Sequence, residues 1–199
     1  QDTVAFAIDS IFGVWANAIK SAGIKQINGN IVVDDSWMVR EQIPSSWSWG
    51  NLGYSYGNTA HGLTFCENLQ YFTINPGKEV GDPVNIQQKY PYIPGFQLIN
   101  EVTTGKEKTG DQTEYFVQDM TLTGRWVGTF AKDRKAKVST NSSRFPHLSC
   151  GYHFREYLVK EGINSNPEII DIQDYNGAKA SVQLCETYSP ELSKIINVT

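Results

Sequence analysis

The chain has 199 residues and a mass of 22.3 kDa, with 40% hydrophobic residues, 19% charged residues and a formal charge of -4 at pH 7. That mixture buries enough apolar surface to fold, which excludes a wholly disordered chain, and the negative balance gives no general case for binding nucleic acid or an anionic membrane. No apolar run approaches the ~20 residues a helix needs to cross a bilayer.

Val4, Ile8, Ile11, Trp15 and Ile19 recur at spacings of three and four, with Phe12 and Ala18 widening the stripe, which predicts a helix over 4–21 that stops at Gly23. The β-branched run Ile31-Val32-Val33, bounded by Asn28-Gly29 and Asp34-Asp35, reads as a strand covered on both faces. Residues 36–62 are turn-rich and aromatic, a composition that pins a long loop against a body. A strand over Leu69 to Ile74 closes at the Asn75-Pro76-Gly77 turn. From Val84 to Val138 the pattern changes to short strands at 84–86, 96–102, 113–117, 120–122 and 125–130, with Gly105, Gly110 and Gly124 between them. Residues 100–144 carry eight basic and six acidic side chains, so the remainder of the chain carries -6.

The helical pattern returns between Gly151 and Gly162, with Tyr152, Phe154, Arg155, Tyr157 and Leu158-Val159. Ala22-Gly23-Ile24 and Glu161-Gly162-Ile163 end the two helices alike, although two matches are too few to establish a repeat. A last strand is expected over Ala180 to Cys185, and a last helix with Ser189 as N-cap and Pro190 as its first residue. The predicted fold class is α/β, a helix-covered mixed sheet with a small mostly-β domain inserted. Residues 1–83 and 145–199 form the discontinuous α/β domain, and 84–144 the insert. The chain opens at Gln1 without an initiator Met or signal-like core and ends in the apolar run Ile195-Ile196-Asn197-Val198-Thr199, so an excised piece of a larger protein is expected.

Cys66, Cys150 and Cys185 allow either one bridge with a free thiol or three reduced thiols, and no CxxC pair marks a zinc ribbon or a redox site. His147 and His153 are six apart, so they make no HExxH-like ligand pair. Each of these two and His61 is read as structural or solvated. Side chains of Asp34 and Asp35 diverge if both lie in a strand, which favours a cap or turn role over an acid/base pair. Ser139-Thr140-Asn141 and Lys108-Thr109-Gly110 match the SxN and KTG elements of penicillin-interacting serine peptidases. No Ser is followed at +3 by Lys, however, the two matches stand in reverse order, and Lys106 to Asp111 reads as a polar turn. Both matches are therefore read as coincidental, and no catalytic or metal-ligating residue is assigned. The basic run from Lys132 to Lys137 is read as a solvated strand end. The stronger feature is the aromatic loop. Trp47, Trp49, Tyr54 and Tyr56, with Asn51 among them, are candidate substrate-binding residues for a short or sugar-linked peptide, with core anchoring as the competing role.

The order of landmarks carries a resemblance. Ala22-Gly23-Ile24 followed by Gly29-Asn30-Ile31-Val32-Val33-Asp34-Asp35-Ser36 resembles the opening of the insert in D-alanyl-D-alanine carboxypeptidases of the peptidase S13 class, the penicillin-binding protein 4 type. Pro44 to Trp49 with Tyr56-Gly57, then Asn68 and Asn75-Pro76-Gly77, resemble that family's next landmarks, as do Leu158, Glu161-Gly162-Ile163 and Tyr188-Ser189-Pro190-Glu191-Leu192. In that family the SxxK nucleophile motif precedes this region, while SxN and KTG follow it. The resemblance therefore implies two accessory domains of an enzyme that cleaves D-Ala-D-Ala or cross-linked peptides of peptidoglycan through an acyl-serine, without metal or organic cofactor. It also implies peptidoglycan peptides and the parent's own catalytic domain as partners, and a bacterial periplasmic or cell-surface location. The family often places an Asp in the aromatic loop, where this chain has Gly50-Asn51, which keeps a hydrogen-bond acceptor and removes the charge. The alternative function is a stand-alone module that binds cell-wall glycan or peptide.

Overall fold

The computed structural model of the chain describes residues 2–38, 43–118, 121–178, 182–189, 191 and 193, with the side chains of 2–9 outside the description. Its fold is mixed α/β, as the sequence predicts, and the chain divides into two compact units. One comprises residues 1–29, 154–167 and 176–199, the other 30–153 and 168–175.

In the first unit, helix α1 (Asp2–Ser21) leads through Gly23 to strand β1 (Gln26–Ile27). Among its described side chains Phe12 and Ala16 are buried and Ile11 is exposed, so the inward face over that part is rotated from the predicted stripe toward the aromatic side chains. The Phe12 ring packs on Phe154 at 5.2 Å and on Tyr157 at 5.8 Å, and Trp15 meets Phe154 edge-on at 5.4 Å. Gly13 belongs to this contact, because a Cβ there would stand 3.3 Å from the Tyr157 hydroxyl. Phe154 and Tyr157 lie on helix α2 (Pro146–Lys160), which runs through Gly162 to strand β10 (Asn164–Ser165). Both helices stop in one way. Ile24 N–H bonds to Ile19 O at 3.2 Å and Ile163 N–H to Leu158 O at 2.9 Å, each across a glycine in the left-handed region (φ 76 and 79). Strands β1 and β10 then pair in parallel, Gln26 opposite Asn164.

The second unit holds the sheets. Strand β2 (Ile31–Val33) pairs in parallel with β11 (Ile169–Asp171), Ile31 opposite Ile169. Residues 146–153 of α2 cover this pair, with Gly151 so near that a Cβ would lie 2.6 Å from Val33 Cγ1 and 2.9 Å from Ile169 Cγ2. The sequence reading started this helix after Gly151. Instead Pro146 opens it, its fixed φ suiting a first turn, and the glycine lies inside because packing requires it. Strand β3 (Leu69–Asn75) is flanked antiparallel by β4 (Asn85–Tyr90) and β9 (Lys137–Ser142). A second sheet gathers β5 (Gln97–Asn100), β6 (Thr103–Gly105) and β7 (Asp111–Val117) around β8 (Thr123–Ala131). Phe72 and Ile74 of β3 meet Tyr115, Val117, Trp126 and Phe130 of β7 and β8 in one core, with Leu52 from the aromatic loop.

All three cysteines are free thiols. Cys66 and Cys150 are buried, and burial pushes their thiols up to about 11 and about 12, which leaves them un-ionised near neutral pH. Residues 182–185 form no strand, so the described part of the strand expected over 180–185 is irregular. Of the helix expected from Pro190, Ser193 is helical and Glu191 is not, while its other residues lie outside the described ones, as does Met120 of the short strand expected at 120–122. Leu122 precedes β8 rather than joining it.

Candidate functional site

The aromatic loop folds as a series of tight turns. Asn51 N–H bonds to Ser48 O at 2.9 Å, Leu52 N–H to Trp49 O at 3.2 Å, and Gly57 N–H to Tyr54 O at 2.9 Å. A side chain at Gly57 would overlap the Asn51 carbonyl, so the glycine is what lets the loop close on itself. Leu52 anchors it in the core, and the aromatic residues remain largely outside: Trp49 is 54% and Tyr56 68% exposed, with Trp47 and Tyr54 also exposed. These rings are ordered by pairing. Trp49 stacks on Phe116 with centroids 4.6 Å apart, and Tyr54 stacks on Tyr56 at 5.2 Å with planes 7° apart. The Tyr56 hydroxyl donates to Asn51 Oδ1 at 3.4 Å. The structure thus places all five predicted residues on one surface loop. Desolvation, then the nearby Glu114, Tyr56 and Asp111, push the Tyr54 phenol up, so it stays a neutral donor near pH 7.

Beneath the loop lies a polar floor. Arg144 donates through Nη2 to the carbonyls of Leu52 at 2.9 Å and Gly57 at 3.1 Å, and through Nη1 to Thr59 Oγ1 at 3.0 Å. Asn141 Nδ2 donates to Gly53 O at 3.1 Å, and the Ser142 hydroxyl donates to Leu52 O. The sequence reading missed Arg144 and Thr59. No local pattern separates a buried arginine from an exposed one when its partners lie elsewhere in the chain.

The remaining candidates separate. Asp34 accepts from Ser36 N–H at 2.9 Å, a local turn, whereas Asp35 turns inward and is buried with His61 and His147. His153 Nε2 accepts from Tyr92 N–H at 3.1 Å and stacks on Phe65. Lys108 occupies a turn (φ 65) whose N–H bonds to Asp133, and Ser139 sits within β9 opposite Phe72, so the KTG and SxN matches form no joint site. Among the described residues no serine hydroxyl is hydrogen-bonded to a lysine amine.

Residues 7–198 match the model of the D-Ala-D-Ala carboxypeptidase 3 (S13) family. The chain belongs to that family. Among S13 relatives, it is 22% identical to the D-alanyl-D-alanine carboxypeptidase of Actinomadura sp. (strain R39), an alignment over 91% of this chain and 34% of that protein. Its fold is similar to penicillin binding protein 4 (dacB) from Haemophilus influenzae, with a TM-score of 0.66 and 20% identity over 85% of this chain and 37% of that one. The same protein in complex with a β-lactam matches with a TM-score of 0.56 and 18% identity, over 86% of this chain and 35% of that one. The chain thus spans about a third of the length of the proteins it matches. No helix among the described residues is long and apolar enough to cross a membrane.

Proposed function

We propose that these 199 residues are the accessory, non-catalytic region of a serine-type D-Ala-D-Ala carboxypeptidase that acts on peptidoglycan stem peptides in the bacterial periplasm or at the cell surface. The acylating serine is supplied by chain outside this region. The observation that carries the reading is that no serine in the sequence has a lysine three residues on. A serine hydroxyl is a poor nucleophile until a neighbouring base takes its proton, and an SxxK pair provides that base one helical turn away. Membership of the S13 family together with the chain's share of its relatives' length supports the accessory assignment. On this reading the loop of Trp47, Trp49, Asn51, Tyr54 and Tyr56 meets the peptide portion of the substrate. Its amide at position 51 offers hydrogen bonds without attracting a cationic amine.

Incubating the purified chain with penicillin and weighing it by intact mass spectrometry tests the assignment. The expected product is the unmodified chain. A stoichiometric covalent adduct would place an acylating serine within these residues and overturn it.

A further inference from the structure

We propose that Asp35, His61 and His147 form a buried site for a divalent transition-metal ion of the zinc class. One ligand atom from each lies within 4.8 Å of the other two. All three residues are shielded from solvent, with exposures of 1% for Asp35, 5% for His61 and 2% for His147. They come from three segments: the residue pair after β2, the loop that follows the aromatic turns, and the first turn of α2.

The geometry at His147 is that of a metal ligand. Its Nδ1 stands 3.3 Å from Asp35 Oδ2 and makes no aligned hydrogen bond there. Two ligands bound tetrahedrally at 2.0–2.1 Å are about 3.3–3.4 Å apart, so this pair already has the separation of one edge of a zinc site. The opposite nitrogen, Nε2, lies 3.0 Å from Asp171 Oδ2. A neutral imidazole that donates Nε2–H to Asp171 turns the lone pair of Nδ1 toward Asp35. A lone pair held against a carboxylate oxygen in a dry interior is repulsive until a cation lies between them. An outer carboxylate that fixes the tautomer of a ligating histidine is the usual second layer of such a site.

The second imidazole is held as well. His61 Nε2 lies 3.2 Å from Thr59 Oγ1, the oxygen to which Arg144 donates. A side chain at position 62 would overlap the Asp35 backbone, so Gly62 lets the loop carrying His61 close on the end of β2. Two imidazoles and one carboxylate form a nitrogen-rich set that suits zinc better than the all-oxygen shells of calcium or magnesium. A water completes four-coordination. The role is architectural, because the ion would join β2, the loop beneath the aromatic rings and the start of α2. It does not depend on where the acylating serine lies.

The test uses the whole chain, stripped with a chelator and titrated with Zn2+. We expect one equivalent bound and a Tm raised by several degrees at saturation. Zinc-dependent shifts are expected in the imidazole 15N signals of His61 and His147 and not in those of His153. Asp35→Asn and His61→Gln should each weaken zinc binding at least about tenfold. The NMR readout on the unaltered chain needs no variant to fold. Substoichiometric uptake, imidazole signals that ignore zinc, or affinity unchanged in either folded variant would overturn the site.

Discussion

Arg144 is 3% exposed, and its guanidinium is held by two carbonyls and a threonine hydroxyl rather than by water. Hydrogen bonds from a charged group are each worth about 1.5–3 kcal/mol, and removing the donor strips both carbonyls of their charged partner, with Leu52 O keeping the Ser142 hydroxyl. Arg144→Met should therefore lower unfolding stability by ~3 kcal/mol, read as a fall in the urea midpoint. An unchanged midpoint would mean that water replaces the guanidinium freely. Nothing in the sequence distinguishes Arg144 from Lys132 or Arg134, because the difference lies in residues 52, 57 and 59, brought over by the fold. The histidines were illegible for the same reason. Ligand spacing can be checked along one helix or strand, whereas Asp35, His61 and His147 come from three separate segments. The aromatic loop was legible because Trp and Tyr so close to Ser, Asn and Gly admit neither a helix nor a strand.

At the scale of elements, local pattern located most strands but misjudged faces and starts. Strand β3 was readable because Asn75-Pro76-Gly77 stops its run of Leu69, Tyr71, Phe72 and Ile74, although its burial alternates through the polar Gln70, which apolar pattern does not show. Helix α1 was readable in extent, yet its buried face follows Phe12 and Ala16, since partner rings on α2 decide the rotation. Helix α2 began five residues earlier than the glycine taken as its flank. The contact at Gly151 explains why. A residue that costs about 1 kcal/mol of helix propensity is retained where Val33 and Ile169 leave no room for a Cβ. Gly151→Val should destabilise the protein by ~2–3 kcal/mol through overpacking, and Val33→Ala in the same chain should recover part of the loss. Denaturant unfolding of the single and double variants measures both, and additive losses would show that the two positions do not compete for space.

For the molecule as a whole, the two glycine-stopped helices turn out to be more than a coincidence of endings. Each is followed by a two-residue strand and then a three-residue strand, and the strands pair copy with copy. The offset in sequence is constant, 26 with 164 and 31 with 169. Two short matches could not establish this in the sequence, since strand pairing is what makes the equivalence visible. Family membership was legible from the order of landmarks because those landmarks are turns and helix stops, where few residue types suffice. If the chain also acts by itself as a cell-wall binding module, the exposed rings are the surface that would do it. Changing Trp47 and Tyr56 together to Ala should lower co-sedimentation with purified peptidoglycan several-fold and leave the unfolding free energy within about 0.5 kcal/mol of the parent. Retained sedimentation would take the loop out of that role.

Strand β8 has a consequence for how the protein is made. Along one edge it receives β5 and then β6, both parallel, and along the other β7, so among the described residues β5 and β7 have β8 as their strand partner, whereas β6 is also bonded on its far side to residues 81–84. All three precede it in the chain. During synthesis β5 and β7 leave the ribosome with their backbone groups bonded to water, and the sheet closes when the central strand emerges last. That interval leaves unpaired edges beside aromatic residues such as Tyr115, the condition under which a nascent chain is most prone to associate with its neighbours.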